Sequence, residues 1–414
     1  MSKKTVLQLG YGMQGKASLR DILGNPSIGK IIVADASSEI DGLAKRLNDE
    51  RIESVRLDVL DTNAVKALMR RADVIIELMP GTFALPLAKL AAEVGVSLVT
   101  SMYLYNPGEQ DSQKREARKK EIEALHERAR AQNITILEEF GMDPGMDLVL
   151  GWKAVSEFDD VRVFHSYGAG FPEPAASCNP IRYKFTWSIA GVVKSYLRPA
   201  RIIKNGQAFD IPADAMFAKE NTHLLKLPEF EEPLECFPNG DSVSFAPIFG
   251  VEKTIQAMGR YICRWPGTGA FWEVMAKSGF LSGAPIRVGE AEVVPEDFCA
   301  ALLGGQEQFF YGAGERDVAL IRSDVRGHKH GKPLRVVLQI VDYRDLKSGF
   351  TAMQRTVGGP MSIGAQMILD GTLSKKGIVS PVEVPFEKYM GELEKRGIRF
   401  SREEEPWDGN MNPA

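Results

Sequence analysis

The sequence predicts an α/β protein with an N-terminal parallel sheet and a second, α+β domain whose sheet is mostly antiparallel. The first 140 residues alternate short apolar runs with helical stretches, the pattern of βαβ units. Beyond residue 140 the strand-like runs lengthen and are separated by hairpin signals such as Asn205-Gly206. From Gly358 the pattern becomes helical again. We therefore expect domains at 1–140 and 141–350, followed by a C-terminal segment at 351–414.

Apolar runs give six predicted strands in the N-terminal part: Thr5–Leu9, Lys30–Asp35, Val55–Leu57, Val74–Leu78, Ser97–Thr100 and Ile134–Glu138. The densely charged stretch Gln113–Gln132 is predicted to be an exposed amphipathic helix, because Ile122, Leu125 and Ala129 share one face. A second charged helix is predicted at Glu387–Arg396. The polar tail after it is expected to be frayed.

The composition excludes several classes of protein. The 414 residues contain 51 Lys and Arg against 55 Asp and Glu, so a net charge of −4 provides no basic surplus for nucleic acid or anionic lipid. The longest uncharged stretch, 94–108, has 15 residues, and a membrane span needs about 18. No signal-peptide pattern begins the chain. We expect a cytoplasmic protein with no nucleic-acid and no membrane partner.

No metal site is predicted. The four cysteines are far apart and are expected to be reduced core thiols: Cys178, Cys236, Cys263 and Cys299. The loop 327–332 contains His328 and His330, which could bind a metal. It has no acid or cysteine nearby in the sequence, so a solvated hairpin tip is the preferred interpretation.

A G-x-G-x-x-G motif directly follows the first predicted strand and precedes a helical stretch; it consists of Gly10, Tyr11, Gly12, Met13, Gln14 and Gly15. Its glycines let the backbone turn tightly and approach a pyrophosphate at the helix N-terminus. Asp35 ends the second strand, about 20 residues later, where a carboxylate binds a ribose 2′-hydroxyl and repels a 2′-phosphate. We predict a dinucleotide site that prefers NAD, with NADP possible; a glycine turn kept for packing is the alternative.

Further cofactor contacts are predicted from position, because ligands bind beyond the carboxyl ends of parallel strands. This places the segments after the fourth and fifth strands near the nicotinamide; the predicted contacts are Met79, Pro80, Thr82 and Ser101. Asp58, at the end of the third strand, either faces the adenine or caps its own turn.

Two acids follow the sixth predicted strand. Glu139 would lie near the nicotinamide, where an amine or imine substrate needs a proton acceptor or a counter-charge. Asp143 precedes Pro144, so catalysis and capping of the following helix are both open.

Three segments, in this order, closely resemble the saccharopine dehydrogenase (glutamate-forming), or saccharopine reductase, family: Glu139–Asp147, Ser166–Pro174 and Asn179–Ser188. The similarity extends to Phe237–Ser242 and Val357–Gly377. The resemblance implies a Rossmann domain that the C-terminal segment rejoins, an α/β substrate and dimerisation domain between them, a homodimer and no metal. It also implies oxidation or formation of a secondary amine with a nicotinamide cofactor.

The resemblance also assigns roles to individual residues. Glu139 and Asp143 would contact the substrate's amines or mediate proton transfer, and Tyr103, Tyr183 and Trp187 would line its pocket. For the last two a core position is the alternative, because 183–187 is predicted to be a strand with one buried face.

The chain departs from the family pattern at three places. Gly15 and Asp35 replace a serine or alanine and a basic residue, which again favours NAD. Gly168 replaces a pocket cysteine. Gly240 replaces an arginine, the natural partner of a substrate carboxylate, and Arg182 or Arg260 could compensate for it.

The predicted function is NAD(P)-dependent oxidation of a CH–NH group, with saccharopine or a similar secondary-amine amino acid as the substrate. Hydride transfer would give an imine that water hydrolyses to an aldehyde and a free amine. One alternative is lysine 6-dehydrogenase, a relative that deaminates lysine with NAD and is favoured by Asp35 and Gly240. The other is a nucleotide-binding regulatory protein without catalysis.

Overall fold

The computed structural model describes residues 3–105, 109 and 111–413. The chain divides into two compact units. Unit 1 comprises Met1–Val149 and Gln354–Ile398, and unit 2 comprises Leu150–Met353 and Arg399–Ala414. The predicted C-terminal segment, 351–414, is therefore shared between the two units.

Strands and helices alternate through the N-terminal part of the chain. The strands are β1 (Lys4–Leu9), β2 (Ile28–Asp35), β3 (Ile52–Arg56), β4 (Val74–Glu77), β5 (Ser97–Thr100), β6 (Thr135–Leu137), β7 (Asp160–Pro172), β8 (Ala200–Lys204), β9 (Gln207–Ile211), β10 (His223–Leu225), β11 (Leu234–Pro238), β12 (Ala257–Arg264), β13 (Ile286–Val288), β14 (Ala291–Val293), β15 (Asp317–Lys329), β16 (Lys332–Tyr343), β17 (Gly377–Val379) and β18 (Phe400–Pro406).

The helices are α1 (Met13–Leu23), α2 (Leu43–Leu47), α3 (Thr62–Met69), α4 (Ala84–Val94), α5 (Ser112–Ala131), α6 (Met146–Val155), α7 (Ile189–Ser195), α8 (Thr268–Lys277), α9 (Pro295–Gly304), α10 (Ala352–Leu369) and α11 (Phe386–Lys395). No helix within the described residues is long and apolar enough to cross a membrane.

The described residues of unit 1 form a seven-stranded parallel sheet in the order β17-β6-β5-β4-β1-β2-β3. The strand order reverses between β1 and β4, and doubly wound sheets bind nucleotides outside the carboxyl ends of the strands at such a point. β17 comes from the C-terminal part of the chain and pairs with β6. The predicted Rossmann-type sheet, completed by the C-terminal segment, is confirmed.

The central strands of unit 1 are buried on both faces, which is why they consist mostly of consecutive apolar residues. The residues at 6–9, 31–34 and 74–77 are at most 2% exposed, because helices cover both faces of a parallel sheet. Leu125 and Ala129 of α5 are buried on the predicted face. The sheet is therefore a rigid support for the loops at its carboxyl edge.

Unit 2 is built on a mixed, mostly antiparallel sheet in the order β10-β11-β12-β7-β15-β16-β18, with β8 and β9 attached through β12. Of its paired strands, β12 and β7 run parallel. Asn205-Gly206 joins β8 to β9 with both φ angles positive, as the hairpin signal predicts. This confirms the predicted α+β domain.

The predicted hairpin tip at 327–332 is shorter than expected. β15 extends to Lys329, so His328 is in the strand and His330-Gly331 forms the turn. In the described part of the chain, no three His, Cys, Asp or Glu side chains are close enough together to hold a metal ion.

The C-terminal tail is not frayed, so that prediction is wrong. β18 pairs with β16 over seven residues of each strand, and Arg326 donates to the carbonyl oxygens of Asn410 and Asn412, both at 2.9 Å. The sequence misleads here because β18 is exposed and charged, and it is bound through its backbone instead of an apolar face.

The expectation of four reduced core thiols is also wrong. Cys236 of β11 and Cys263 of β12 are opposite each other in the antiparallel register and form a disulfide, with the Cα atoms 4.2 Å apart. Cys178 is exposed, whereas Cys299 is a buried free thiol as expected. A separation of 27 residues in the sequence hides a contact that only strand pairing creates.

A buried ion cluster links β15 to β16 in unit 2. The Asp324 carboxylate is 0% exposed and accepts two hydrogen bonds each from Arg326 and Arg335, at 2.7 and 3.0 Å. Burial alone would raise the pKa of Asp324, but the two guanidinium groups outweigh it and hold this pKa well below its usual range. The carboxylate therefore stays ionised and compensates two partly desolvated cations.

Replacing Asp324 with asparagine is expected to lower the free energy of unfolding by roughly 3–5 kcal/mol, because Arg326 is left buried without its counter-charge. The measurement is urea unfolding followed by circular dichroism. Asp210→Asn is the matched control: Asp210 pairs with Arg201 but is 77% exposed, so a change below about 1 kcal/mol is expected. Equal losses in the two variants would contradict the assigned role.

Candidate functional site

The glycine loop between β1 and α1 has the geometry of a phosphate cradle. A Cβ atom at Gly10, whose φ is +101°, would lie 2.7 Å from the Leu78 carbonyl oxygen, and one at Gly15 would lie 2.4 Å from the Gly10 carbonyl oxygen. At Gly12 no described atom lies within 4 Å of that position. Gly10 and Gly15 are therefore required by packing inside the protein, whereas Gly12 leaves open space at the start of α1.

The loop is braced by Gln8, a residue that the sequence analysis missed. Its buried side-chain nitrogen donates to the carbonyl oxygens of Gly10 and Gly15, at 2.9 and 3.0 Å. The N-terminus of α1 is thereby fixed, and its backbone N–H groups form the usual site for a phosphate. A polar residue inside the apolar run of β1 is the signal that could have revealed this role.

Asp35, at the end of β2, holds the same loop in place. Its carboxylate accepts hydrogen bonds from the backbone N–H groups of Tyr11 and Ser37, at 2.7 and 2.8 Å. Two cations lie around the segment that follows it: Lys16 pairs with Glu39 at 2.7 Å, and Arg46 donates to backbone carbonyls of that segment. Both carboxylate oxygens of Asp35 thus accept hydrogen bonds from the backbone, and two cations contact the segment that follows β2.

Asp58 is exposed, and its carboxylate accepts a hydrogen bond from the Leu60 N–H at 2.9 Å. Of the two interpretations of Asp58, the structure shows the turn cap.

Glu77, the last residue of β4, is a second functional candidate that the sequence analysis missed. Its side chain is 0% exposed and accepts hydrogen bonds from the Met79 N–H at 2.7 Å and from the Thr100 hydroxyl at 2.6 Å. Thr100 in turn accepts from the Met102 N–H at 3.0 Å. Burial raises the pKa of Glu77 to about 7. An acid at the end of an apolar strand is unusual enough to have been noticed.

Glu139 lies beyond the end of β6 in a strained conformation. Its side chain is 4% exposed, its φ is +56°, and its N–H donates to the Met102 carbonyl at 3.3 Å. Positive φ in a residue other than glycine costs about 1–3 kcal/mol and is concentrated at functional sites. Burial also raises the pKa of the adjacent Glu138, to about 7. Two acids therefore meet at the predicted catalytic position.

Asp143 is half-buried in a tight loop closed by a hydrogen bond from the Gly141 N–H to the Pro144 carbonyl at 3.0 Å. The helix-capping interpretation of Asp143 is wrong, because α6 begins only at Met146. The acid that serves the start of this helix is Asp147, which accepts from the Gly145 N–H at 2.7 Å.

The other predicted cofactor residues of unit 1 follow strands that end at the same carboxyl edge of the sheet, as does Tyr103, which was predicted to line the substrate pocket. Met79, Ser101 and Tyr103 are half-buried, whereas Pro80 and Thr82 are exposed in the turn after β4. Met13 is 46% exposed, and Gln14 is half-buried in the first turn of α1. Of these residues, Met79 lies against the glycine loop, with its sulfur 3.3 Å from the position of a Cβ atom at Gly10.

In unit 2, the predicted strand at 183–187 does not form. The side chain of Asn179 takes over the hydrogen bonds of this segment, accepting from the Ile181 and Tyr183 N–H groups and donating to the Tyr183 carbonyl. Tyr183 is 1% exposed, has the Arg264 guanidinium 4.6 Å from its ring centre, and burial raises its pKa to about 12. Trp187 is half-buried.

The two arginines expected to compensate for Gly240 both contact other side chains in the structure. Gly240 has φ +60° and open space where a side chain would begin. Arg182 is engaged by Glu232 through two hydrogen bonds, at 3.0 and 2.7 Å. Arg260 is 6% exposed and stacks on Phe245 at 4.5 Å. Gly168 is a buried residue of β7, opposite Ile262 and Ile321.

Two protein-family models match consecutive parts of the chain. The saccharopine dehydrogenase NADP binding domain matches residues 6–137, and the saccharopine dehydrogenase C-terminal domain matches residues 141–398. The chain belongs to the saccharopine dehydrogenase family. The resemblance found in the sequence is confirmed.

Curated relatives agree with this assignment. The chain is 25% identical to alpha-aminoadipic semialdehyde synthase of Arabidopsis thaliana, over 89% of the chain and 39% of the relative. The mitochondrial synthase of Bos taurus is 27% identical, over 92% of the chain and 45% of that relative. The chain thus spans less than half the length of these relatives. Saccharopine dehydrogenase [NADP(+), L-glutamate-forming] of Pyricularia oryzae is 25% identical, over 96% of the chain and 98% of the relative.

The fold is also shared with solved structures. Saccharopine dehydrogenase (L-Glu forming) from Saccharomyces cerevisiae has a TM-score of 0.79 at 24% identity, covering 97% of this chain and 99% of that one. Homospermidine synthase from Legionella pneumophila, solved with NAD, has a TM-score of 0.65 at 12% identity, covering 100% and 95%. These similarities concern the fold alone.

The predicted preference for NAD is wrong. The matched N-terminal family model is an NADP binding domain, and the fungal relatives carry NADP(+) in their names. The prediction assumed that Asp35 points its charge at a ribose hydroxyl. In the structure the carboxylate is instead held by the backbone N–H groups of Tyr11 and Ser37.

Replacing Gly12 with alanine is expected to leave folding intact and to weaken NADPH binding at least about tenfold, because the added methyl group meets no described protein atom and would occupy the cradle. Binding is measured by NADPH fluorescence and folding by the thermal midpoint.

Gly391→Ala in α11 is the matched control for this variant. A Cβ atom there also meets no described atom within 4 Å, and this helix is remote in sequence from the glycine loop. Unchanged binding is expected. If Gly12→Ala bound NADPH as tightly as this control, the cradle assignment would be wrong.

Proposed function

We propose that the protein is an NADP-dependent oxidoreductase that acts on the CH–NH group of saccharopine or a similar secondary-amine amino acid. For saccharopine, the reaction would interconvert saccharopine, water and NADP⁺ with glutamate, aminoadipate semialdehyde, NADPH and a proton. The observation that carries the proposal is the match of two saccharopine dehydrogenase domains to consecutive parts of the chain, together with a glycine loop whose one open position, Gly12, faces a helix N-terminus.

The glycine loop and the cations near the end of β2 are suited to the phosphate groups of NADP. The cradle would receive the pyrophosphate, and Lys16 and Arg46, beside the segment after β2, would neutralise the 2′-phosphate. The turn at Met79–Thr82 and the residue Ser101 would border the nicotinamide. When bound, NADP supplies the hydride acceptor of the oxidation or the hydride donor of the reduction.

Glu139 and Asp143 are the proposed catalytic acids. As hydride leaves the carbon that bears the amine, positive charge develops on the substrate nitrogen, and a nearby carboxylate stabilises it. The hydrolysis that follows needs a group that takes a proton from water and returns one to the leaving amine. The buried, strained Glu139 is suited to the first task, and the half-buried Asp143 to the second.

Within unit 1, Tyr103 is proposed to contact the substrate. Within unit 2, the family resemblance assigns Gly168, Tyr183 and Trp187 to substrate binding. A pKa of about 12 keeps the Tyr183 hydroxyl protonated, so it can donate to a substrate oxygen and cannot act as a base. Because Gly240 leaves open space where the family has an arginine, a substrate with fewer carboxylates than saccharopine is compatible with this chain.

A homodimer and a cytoplasmic location complete the proposal. Support for self-association comes from large apolar side chains of residues 271–310 that are 38–63% exposed: Phe271, Val274, Phe280, Ile286, Val288, Phe298, Leu302 and Phe310. The location remains a prediction, and three of the relatives are named as mitochondrial proteins.

The test is absorbance at 340 nm with purified protein, NADP⁺ and either saccharopine or lysine. We expect turnover with saccharopine and a fall of roughly 10²- to 10⁴-fold in kcat for Glu139→Gln, which removes the carboxylate while keeping its size. Glu123→Gln on the exposed face of α5 is the control and should retain wild-type turnover.

Each other outcome has a definite meaning. Turnover with lysine alone would make the protein a lysine 6-dehydrogenase. Tight NADPH binding without turnover of either amine would favour a regulatory nucleotide-binding protein. Full activity of Glu139→Gln would remove this residue from the mechanism.

A further inference from the structure

Glu77 occupies a central position at the carboxyl edge of the unit 1 sheet. It pairs with Leu9 on β1, so it is adjacent to the residue that enters the glycine loop, and its neighbour on the other side, in β5, is Thr100. The strand order reverses between β1 and β4, directly at this residue. A fully buried carboxyl group at that point needs an explanation beyond packing, because burying it costs free energy that an apolar residue would not.

The hydrogen bonds of Glu77 organise the three segments that follow β4, β5 and β6. One oxygen holds the Met79 N–H and the other holds the Thr100 hydroxyl. Thr100 fixes the Met102 N–H, and the Met102 carbonyl accepts from the N–H of Glu139. These hydrogen bonds, joined through the backbone of Met102, thus link the turn proposed to border the nicotinamide to the backbone of Glu139.

We propose that Glu77 is a positioning residue for the nicotinamide end of the cofactor site, and that its negative charge favours oxidised over reduced cofactor there. This inference rests on the proposed function. The oxidised nicotinamide ring carries a positive charge and the reduced ring is neutral, so a desolvated anion behind the Met79 turn attracts the oxidised form selectively. The carboxylate acts through charge and through the Met79 and Thr100 contacts; it does not react.

The surroundings of Glu77 make its charge sensitive to pH. No ionisable side chain is found in β5 or in the turn at 78–83, and β1 has only Lys4, at the opposite end of the strand. Tyr103 and Tyr105 follow β5, and Glu138 and Glu139 follow β6. The described contacts of Glu77 are uncharged: burial raises its pKa to about 7, and the bonds from Thr100 and Met79 limit that rise.

The experiment measures the dissociation constants of NADP⁺ and NADPH from pH 6 to pH 8.5, by calorimetry and fluorescence, for the wild type and Glu77→Gln. The 2′-phosphate titrates in this range but is present in both forms, so the ratio of the two constants cancels it. We define the ratio as the NADPH dissociation constant divided by the NADP⁺ dissociation constant. In the wild type this ratio is expected to rise by roughly three- to tenfold as Glu77 ionises. In Glu77→Gln it is expected not to change with pH.

Two variants at Thr100 keep the test decisive if Glu77→Gln folds poorly. Thr100→Val removes a hydrogen bond that stabilises the ionised carboxylate, so the shift towards NADP⁺ is expected at higher pH than in the wild type. Thr100→Ser keeps the hydroxyl and is expected to restore the wild-type midpoint. If the hydrogen bond between Thr100 and Glu77 had only a structural role, its loss would change both dissociation constants together and leave their ratio unaffected.

The remaining outcomes separate a failure of this inference from a failure of the proposed function. If the ratio of dissociation constants in Glu77→Gln still rose with pH, the proposed role of Glu77 would be wrong. If the rise were then lost in Glu138→Gln, the pH-dependent charge would belong to Glu138. Failure of the wild type to bind either cofactor would overturn the proposed function as well. Normal binding and a Glu77-dependent ratio, without turnover of any amine, would overturn the proposed reaction and leave the role of Glu77 standing.

Discussion

The site depends on one close contact, the approach of the glycine loop to the carboxyl edge of β4. The Gly10 backbone lies so near the Leu78 carbonyl, and Gly15 so near the Gly10 carbonyl, that a side chain at either place would collide with main-chain atoms. Gln8 locks this arrangement from inside the sheet. Because the loop is fixed on its protein side, the open face at Gly12 and the start of α1 is available to a phosphate.

Buried acids determine the electrostatics of the same edge. Glu77 and Glu138 both have pKa values raised to about 7 by burial, and the buried Glu139 is held with positive φ. Glu77 and Glu138 therefore change protonation near neutral pH, so the negative charge at this edge of the sheet depends on pH. The free-energy cost of this strain and burial is offset by the packing of the sheet, whose central strands are covered on both faces.

Unit 2 shows how strand pairing brings distant residues into contact. The antiparallel register of β11 and β12 joins Cys236 to Cys263, and the pairing of β15 with β16 brings Arg335 to Asp324. The aromatic segment around Tyr183 is held by the side chain of Asn179 instead of a strand neighbour. Neither contact between strands has a local signal in the sequence.

The sequence by itself determined the parallel sheet, the glycine loop and the family, because apolar periodicity and turn chemistry are local properties of the chain. It could not determine what Asp35 binds: an acid at the end of β2 suggested NAD, and only the folded loop shows that backbone N–H groups of Tyr11 and Ser37 occupy its carboxylate. The hydrogen-bond partners of Glu77 and the Cys236–Cys263 disulfide could not be predicted, for the same physical reason. Their burial and their partners come from strand order and register, which only the tertiary structure decides.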